Sequence, residues 1–89
     1  MARKSKDQIL AELAELLQEF TDLVKPEDIT ADMKFEDQLG MDSLIMVDAA
    51  MAAEDHFGVK IPTEELKTSM TVGEMVNFIY ENQPDADGE

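Results

Sequence analysis

Apolar residues recur at three- and four-residue spacing in three separate stretches of this 89-residue chain. Because no stretch alternates as a half-buried β-strand does, the pattern favours an all-α fold. In the first stretch, acidic residues separate the apolar positions, which predicts an amphipathic helix over about residues 6 to 24. Ser5 is its predicted N-cap, and Lys25 and Pro26 end it.

The second stretch predicts a helix over residues 43 to 57, with Asp42 as N-cap and Gly58 as C-cap. The stripe that we assign to the core consists of Val47, Ala50, Ala53 and Phe57. A third long helix is predicted over about residues 71 to 82, opened by a capping box that begins at Thr71. Its inward residues are predicted to be Val72, Met75, Val76 and Ile79.

A one-turn helix capped by Thr63 is predicted between the second and third long helices. The expected fold class is therefore an all-α four-helix bundle with three long helices and one short helix. We expect a single domain over residues 1–89, with an ordered core at about residues 6–82. The basic residues 1 to 6 and the acidic residues 85 to 89 are predicted to be flexible ends.

The formal net charge of −14, from 21 acidic and 7 basic residues, determines which partners suit the surface. It repels nucleic acid and anionic membranes, and it attracts basic patches on other proteins. The chain contains no Cys, which excludes a thiolate nucleophile, a thiolate metal site and a disulfide framework. No apolar run reaches the about 18 residues of a membrane span, and no signal peptide is recognisable. We therefore expect a cytoplasmic monomer that does not insert into membranes.

The long connection over residues 25 to 42 is expected to be functional rather than a bare linker. Four apolar residues spaced through it are predicted to pin it to the core: Ile29, Met33, Phe35 and Leu39. Gly40 allows the turn that follows them. Ser43 then enters the first turn of the second long helix with its hydroxyl near solvent.

Catalysis by Ser43 is not expected, because the chain's one histidine, His56, lies at the other end of the same helix. A rise of about 1.5 Å per residue puts the two roughly 20 Å apart, so no Ser–His pair forms. Residues 37 to 48 lack the order of acidic residues of a calcium loop, and no metal site is predicted. A hydroxyl at an exposed helix N-terminus suits a group that another enzyme attaches, since the helix end favours a phosphate. On local chemistry alone, an ordinary first-turn serine is the alternative.

A second stripe on this helix mixes acidic and apolar side chains, at Leu44, Asp48, Met51 and Asp55. Such a stripe beside an exposed hydroxyl indicates a docking surface for a basic, partly apolar partner. An ordinary solvated face is the alternative.

The segment Leu39-Gly40-Met41-Asp42-Ser43-Leu44 matches the attachment motif of a known family. The match continues through Val47, Asp48, Glu54, Phe57, Val59-Lys60-Ile61-Pro62 and Thr71-Val72-Gly73. On these residues the chain, over about residues 8 to 82, resembles the discrete acyl carrier proteins of fatty-acid and polyketide synthesis.

The resemblance implies that Ser43 carries a 4′-phosphopantetheine arm, which a separate magnesium-dependent phosphopantetheinyl transferase takes from coenzyme A. The arm's thiol would hold acyl groups as thioesters, and the chain itself would not be an enzyme. The family's partner-recognition positions fall on Asp42, Leu44, Asp48, Met51, Glu54 and Asp55. Through them the carrier would dock onto basic patches of the transferase, ketosynthase, acyltransferase and other synthase enzymes. The acyl chain would be sheltered against Phe35, Val47, Ala50, Ile61 and Ile79.

Two positions of the second helix depart from the fatty-acid carriers. Ile45 stands where an acidic or polar residue is common, and Asp48 replaces the commoner Glu. These departures leave the partners and the pathway, fatty-acid or polyketide, open. An acidic interaction module without a prosthetic group is the alternative function, and it would tolerate Ser43→Ala.

Overall fold

A computed structural model describes residues 4–62, 64, 66–67 and 69–83 of the chain. In these residues it contains three α-helices: α1, Lys6–Leu17; α2, Ser43–Phe57; and α3, Val72–Asn82. A 3₁₀ turn, Pro26–Asp28, lies in the connection between α1 and α2. Because α1 contacts α2, α3 and the 3₁₀ turn, the elements enclose one apolar core. The all-helical class predicted from the sequence is confirmed.

α1 begins as predicted, with the Ser5 hydroxyl as its cap, but the predicted end at about residue 24 is wrong. The helix ends at Leu17; the Glu19 and Phe20 amides donate to carbonyls three residues back, and the Thr21 amide donates to the Leu17 carbonyl. Thr21 then turns its side chain inward, where the hydroxyl donates to the Leu39 carbonyl at 2.7 Å. A tertiary hydrogen bond therefore takes the place of the next helical turn, although the apolar spacing continues.

α2 has the predicted bounds, with a carboxylate cap at its start and the left-handed Gly58, at φ 69°, at its end. The predicted core stripe is wrong at one position, because Val47 is half-buried and Met46 is buried instead. Met46 lies in the middle of the buried arc, and Val47 is about 100° further round the helix. The buried residues of α2 are Met46, Ala49, Ala50, Ala53 and Phe57.

α3 confirms both its predicted capping box and its predicted inward face. The Thr71 hydroxyl accepts the Glu74 amide at 3.1 Å, and the Glu74 carboxylate accepts the Thr71 amide at 2.9 Å. The four residues predicted to face inward are all buried: Val72, Met75, Val76 and Ile79. Two reciprocal bonds thus fix where the last helix starts.

The connection over residues 25 to 42 is pinned to the core as predicted. Ile29, Phe35 and Leu39 are buried, and Met33 packs against them partly buried. Met41, which the sequence analysis did not single out, is buried as well. An isolated antiparallel bridge between Lys34 and Thr71 ties the same connection to the start of α3. The connection therefore packs as part of the fold.

The predicted fourth helix stays a prediction, because Thr63 and Glu65 lie outside the described residues. Residues 1–3 and the acidic tail over 85–89 also lie outside them.

The flexible start stays a prediction, although the structure gives the backbone of Lys4 two hydrogen-bond partners. The Lys4 amide donates to the side-chain oxygen of Gln83 at 3.1 Å, and the side-chain nitrogen of Gln83 donates back to the Lys4 carbonyl at 2.9 Å. A glutamine directly after α3 therefore holds the backbone that leads into α1.

Candidate functional site

The serine loop, which we define as residues 39–43, is held by hydrogen bonds on both sides of a left-handed glycine. The Leu39 carbonyl accepts the Thr21 hydroxyl, and the Met41 amide donates to the Phe35 carbonyl at 2.9 Å. Gly40 lies between these anchors at φ 64°, a conformation that residues with a Cβ rarely adopt. The backbone that leads into α2 therefore has a defined path.

Ser43 is the first residue of α2, and its side chain is exposed. The Asp42 carboxylate accepts the Ile45 amide at 2.9 Å, and the Asp42 carbonyl accepts the Met46 amide at 2.9 Å. The amides of Ser43 and Leu44 come before this hydrogen-bonded series, at the positive end of the helix. An exposed hydroxyl in this position suits a phosphate ester.

His56 serves a contact between helices rather than the serine. It is exposed near the opposite end of α2, where its Nε2 lies 2.8 Å from Oε1 of Glu12 in α1. Lys4 binds the same carboxylate. The hydrogen bond from Lys4 is the largest cause that lowers the pKa of Glu12 from 4.5 to about 2, and the bond with His56 acts in the same direction. The chain thus holds its histidine far from Ser43.

The α2 outer face, defined as Leu44, Asp48, Met51 and Asp55, is exposed at all four positions. Two of its side chains are large and apolar: Leu44 is 77% exposed and Met51 is 56% exposed. A partner with a basic rim and an apolar centre would bury both apolar groups and pair with the carboxylates.

Glu54 differs from the other predicted recognition residues because its carboxylate is bound within the chain. It is half-buried, and it accepts the amide of Ile61 at 2.5 Å. The Glu54 carbonyl also accepts the amides of Gly58 and Val59. Glu54 therefore holds the segment that follows α2, and less of its charge is directed to solvent.

A small apolar cavity with a volume of about 10 Å³ lies between α1, α2 and α3. That volume holds about one water molecule. The residues that line it are Leu13, Leu17, Phe35, Met46, Ala49, Ala50, Ala53 and Met75.

Two of the five residues expected to shelter an acyl chain, Phe35 and Ala50, line this cavity. Val47 is half-buried, and Ile61 and Ile79 are buried in the core outside the lining. The other six lining residues were not in the expected set, although Ala53 and Met75 were predicted to face the core. The repeat of positions 46, 50, 53 and 57 at four- and three-residue spacing is the sequence signal that could have identified Met46.

Comparison with known proteins identifies the class to which this fold and site belong. A family model described as "Phosphopantetheine attachment site" matches residues 11–79. An acyl carrier protein of Rhodococcus erythropolis is 41% identical over 75 residues, which cover 84% of this chain and 81% of the relative. One from Renibacterium salmoninarum is 44% identical over 79 residues, covering 89% and 96%. A meromycolate extension acyl carrier protein of Mycolicibacterium aurum is 42% identical over 85 residues, covering 92% and 87%.

The fold, the match and the site define a carrier domain of the phosphopantetheine-attachment class. Within that class the chain belongs to the acyl carrier protein family. Its cofactor is 4′-phosphopantetheine, and the exposed Ser43 hydroxyl at a helix N-terminus fits the phosphate of that group. No helix in the described part of the chain is long and apolar enough to cross a bilayer.

Proposed function

We propose that Ser43 is the attachment residue and that the chain carries acyl groups on the attached arm to enzymes of fatty-acyl chain extension. The observation that carries this proposal is an exposed hydroxyl delivered to the N-terminus of α2 by a loop fixed on both sides. The two anchors and the left-handed turn give the backbone before Ser43 one path, which suits a residue that a transferase must recognise.

Another enzyme must catalyse the attachment, because His56 lies roughly 20 Å along the helix from Ser43. The Ser43 oxygen would form a bond to the phosphorus of the pantetheine phosphate of coenzyme A while the bond from that phosphorus to the bridging pyrophosphate oxygen breaks; 3′,5′-ADP would leave, and a base of the transferase would take the hydroxyl proton. The Ser43 and Leu44 amides, at the positive end of α2, would offset the negative charge of the attached phosphate. The arm supplies the thiol that the protein lacks, since the sequence has no Cys.

The α2 outer face is the proposed docking surface for the transferase, the ketosynthase and the acyltransferase. Its carboxylates attract basic patches, and its exposed leucine and methionine give contact area without long-lived binding. Electrostatic docking of this kind is fast and salt-sensitive, which suits a carrier that several enzymes must release.

Extension of long fatty-acyl chains is the pathway that we propose, because a relative that covers most of this chain is a meromycolate extension acyl carrier protein. The small side chains of Ala49, Ala50 and Ala53 on the cavity side of α2 support this choice. Any acyl chain is longer than this cavity, so its entry requires the lining to move; Met46 and Met75 are the lining residues that change rotamer most readily.

The test is turnover of acyl-loaded protein by a fatty-acid-type extending ketosynthase, compared with a polyketide-type ketosynthase. We expect faster turnover by the first enzyme, with a preference for long acyl chains. Asp48→Lys should reduce that turnover about tenfold, whereas Glu15→Lys on α1, a control with the same change of charge, should not. Equal turnover by both ketosynthases would contradict the proposed pathway. Equal effects of Asp48→Lys and Glu15→Lys would contradict the proposed docking surface.

A further inference from the structure

The segment that follows α1 contacts the serine loop through two of its residues, Thr21 and Leu23. Within the described part of the chain, Thr21 is the one polar side chain that is buried, and its hydroxyl donates to the Leu39 carbonyl at 2.7 Å. The Leu23 amide donates to the same hydroxyl oxygen at 3.3 Å. Because a carbonyl can only accept and the Leu23 amide can only donate, the hydroxyl proton belongs to the bond with Leu39.

Leu23 covers the turn of the serine loop from outside. Its side chain is 69% exposed, yet its Cδ1 lies only 2.6 Å from the point that a Cβ on Gly40 would occupy. The segment therefore contacts the loop on both faces, by a buried hydroxyl within and an apolar side chain above. Both contacts come from residues beyond the end of α1 at Leu17.

We propose that Thr21 is a positioning residue for the attachment reaction at Ser43, an inference that rests on the proposed function. The Thr21 hydroxyl fixes the peptide group between Leu39 and Gly40. Without that bond the carbonyl has lost its donor, and Gly40 tolerates rotation of the peptide because it lacks a Cβ. Rotation there changes the path of the backbone toward Ser43.

The expected effect is local, because the other anchors of the loop do not depend on Thr21. Met41 remains buried with its amide on the Phe35 carbonyl, and the Asp42 carboxylate still caps α2. The loop would then exchange between a competent and a rotated arrangement. For a transferase that binds only the competent arrangement, KM for the carrier equals the wild-type KM divided by the fraction of carrier in that arrangement, and kcat is unchanged.

The experiment measures phosphopantetheine transfer from coenzyme A by a broad-specificity transferase with magnesium. Thr21→Val, which removes the hydroxyl, should raise KM for the carrier about tenfold while kcat stays within about twofold; the tenfold change corresponds to about 1.4 kcal/mol. Thr21→Ser, which restores the hydroxyl, should behave as the wild type. Thr71→Val is the matched control, since it removes a hydroxyl that caps α3 and should leave KM unchanged.

Hydrogen exchange provides a second readout that general destabilisation would not reproduce. In Thr21→Val the Leu23 amide, which loses its acceptor, and the Leu39 amide, next to the released carbonyl, should exchange faster, whereas the Met41 amide and those in the middle of α3 should keep their wild-type protection. If Thr21→Val is not folded at low salt, it is compared with the wild type in salt at which their circular dichroism spectra agree.

An unchanged KM in Thr21→Val, or an equal rise in Thr21→Ser or Thr71→Val, would overturn the inference. The wild type and Ser43→Ala are run beside them. Failure of the wild type to gain the arm would instead overturn the proposed function, so the two failures are distinguishable.

Discussion

Glu54→Lys should destabilise the domain, whereas Asp48→Lys, the same change from an acid to a lysine on the same helix, should not. The Glu54 carboxylate accepts the Ile61 amide at 2.5 Å, and the side chain is half-buried. Asp48 is exposed. Loss of a charge-assisted hydrogen bond, with the amide left unpaired, costs about 1.5–3 kcal/mol. That is a large share of the about 5–15 kcal/mol that stabilises a domain.

The comparison between the two lysine variants removes the effect of net charge. Each substitution changes the charge by the same amount, so the relief of self-repulsion in a chain of net charge −14 is similar in both. Glu54→Gln keeps an oxygen that can accept the Ile61 amide and should lose about 1 kcal/mol or less.

Urea unfolding followed by circular dichroism gives the free energy of unfolding for the three variants and the wild type. We expect Glu54→Lys to lie at least about 1.5 kcal/mol below Asp48→Lys. Equal free energies for the two would refute the assignment of Glu54 to the segment after α2. The expected difference also means that impaired partner turnover in Glu54→Lys does not by itself demonstrate docking through Glu54.

Three further predictions concern charge and backbone strain. The pKa of Glu12 is lowered from 4.5 to about 2, so its ionised carboxylate stabilises the folded state. This contribution to the free energy of unfolding is complete above pH 4.5 and is lost as the pH falls toward 2. The full pKa shift would correspond to about 3 kcal/mol of stability, but the side chain is a quarter exposed, so we expect about 1 kcal/mol. Urea unfolding at pH 7 should show this loss of stability in Glu12→Gln relative to Glu15→Gln. At pH 3 the loss should be smaller. Equal losses of stability at the two pH values would contradict the lowered pKa of Glu12. Gly40→Ala should lower the free energy of unfolding by about 1–2 kcal/mol, because alanine is strained at the positive φ of this position. The contact with Leu23 should add little to this cost, since that exposed side chain can move away. An unchanged melting temperature would refute the strain. Added salt should raise the melting temperature of the wild type by screening its −14 charge, and calorimetry that finds no rise would exclude strong self-repulsion.

The ends of α2 and α3 could be predicted from the sequence because capping is local chemistry. The carboxylate of Asp42, the left-handed Gly58 and the reciprocal pair that starts at Thr71 each act within a few residues of the chain. Such signals do not depend on how the helices pack. The position of Ser43 at the start of α2 followed from them.

The end of α1 could not be predicted because a tertiary contact decides it. The apolar spacing continues to Val24, yet Thr21 bonds a carbonyl that lies 18 residues further along the chain. Nothing in the local sequence distinguishes this threonine from a helical one. The role of Glu54 has the same origin, since its partner Ile61 becomes a neighbour only when the chain folds back after Gly58.

The shelter for the acyl chain stays a prediction, and only two of its five residues line the cavity. Phe35 and Ala50 were expected, but the choice between Met46 and Val47 depends on the rotation of α2 about its axis. Packing of α2 against α1 sets that rotation, and alanine-rich faces give little sequence contrast by which to predict it.

The most direct test of the account is the site of attachment. The wild type is incubated with coenzyme A, magnesium and a broad-specificity phosphopantetheinyl transferase, and peptides of the product are sequenced by tandem mass spectrometry. We expect one phosphopantetheine per chain, on Ser43, and no gain of mass in Ser43→Ala. A folded wild type that gains no arm, or an arm found on another residue, would contradict the central claim.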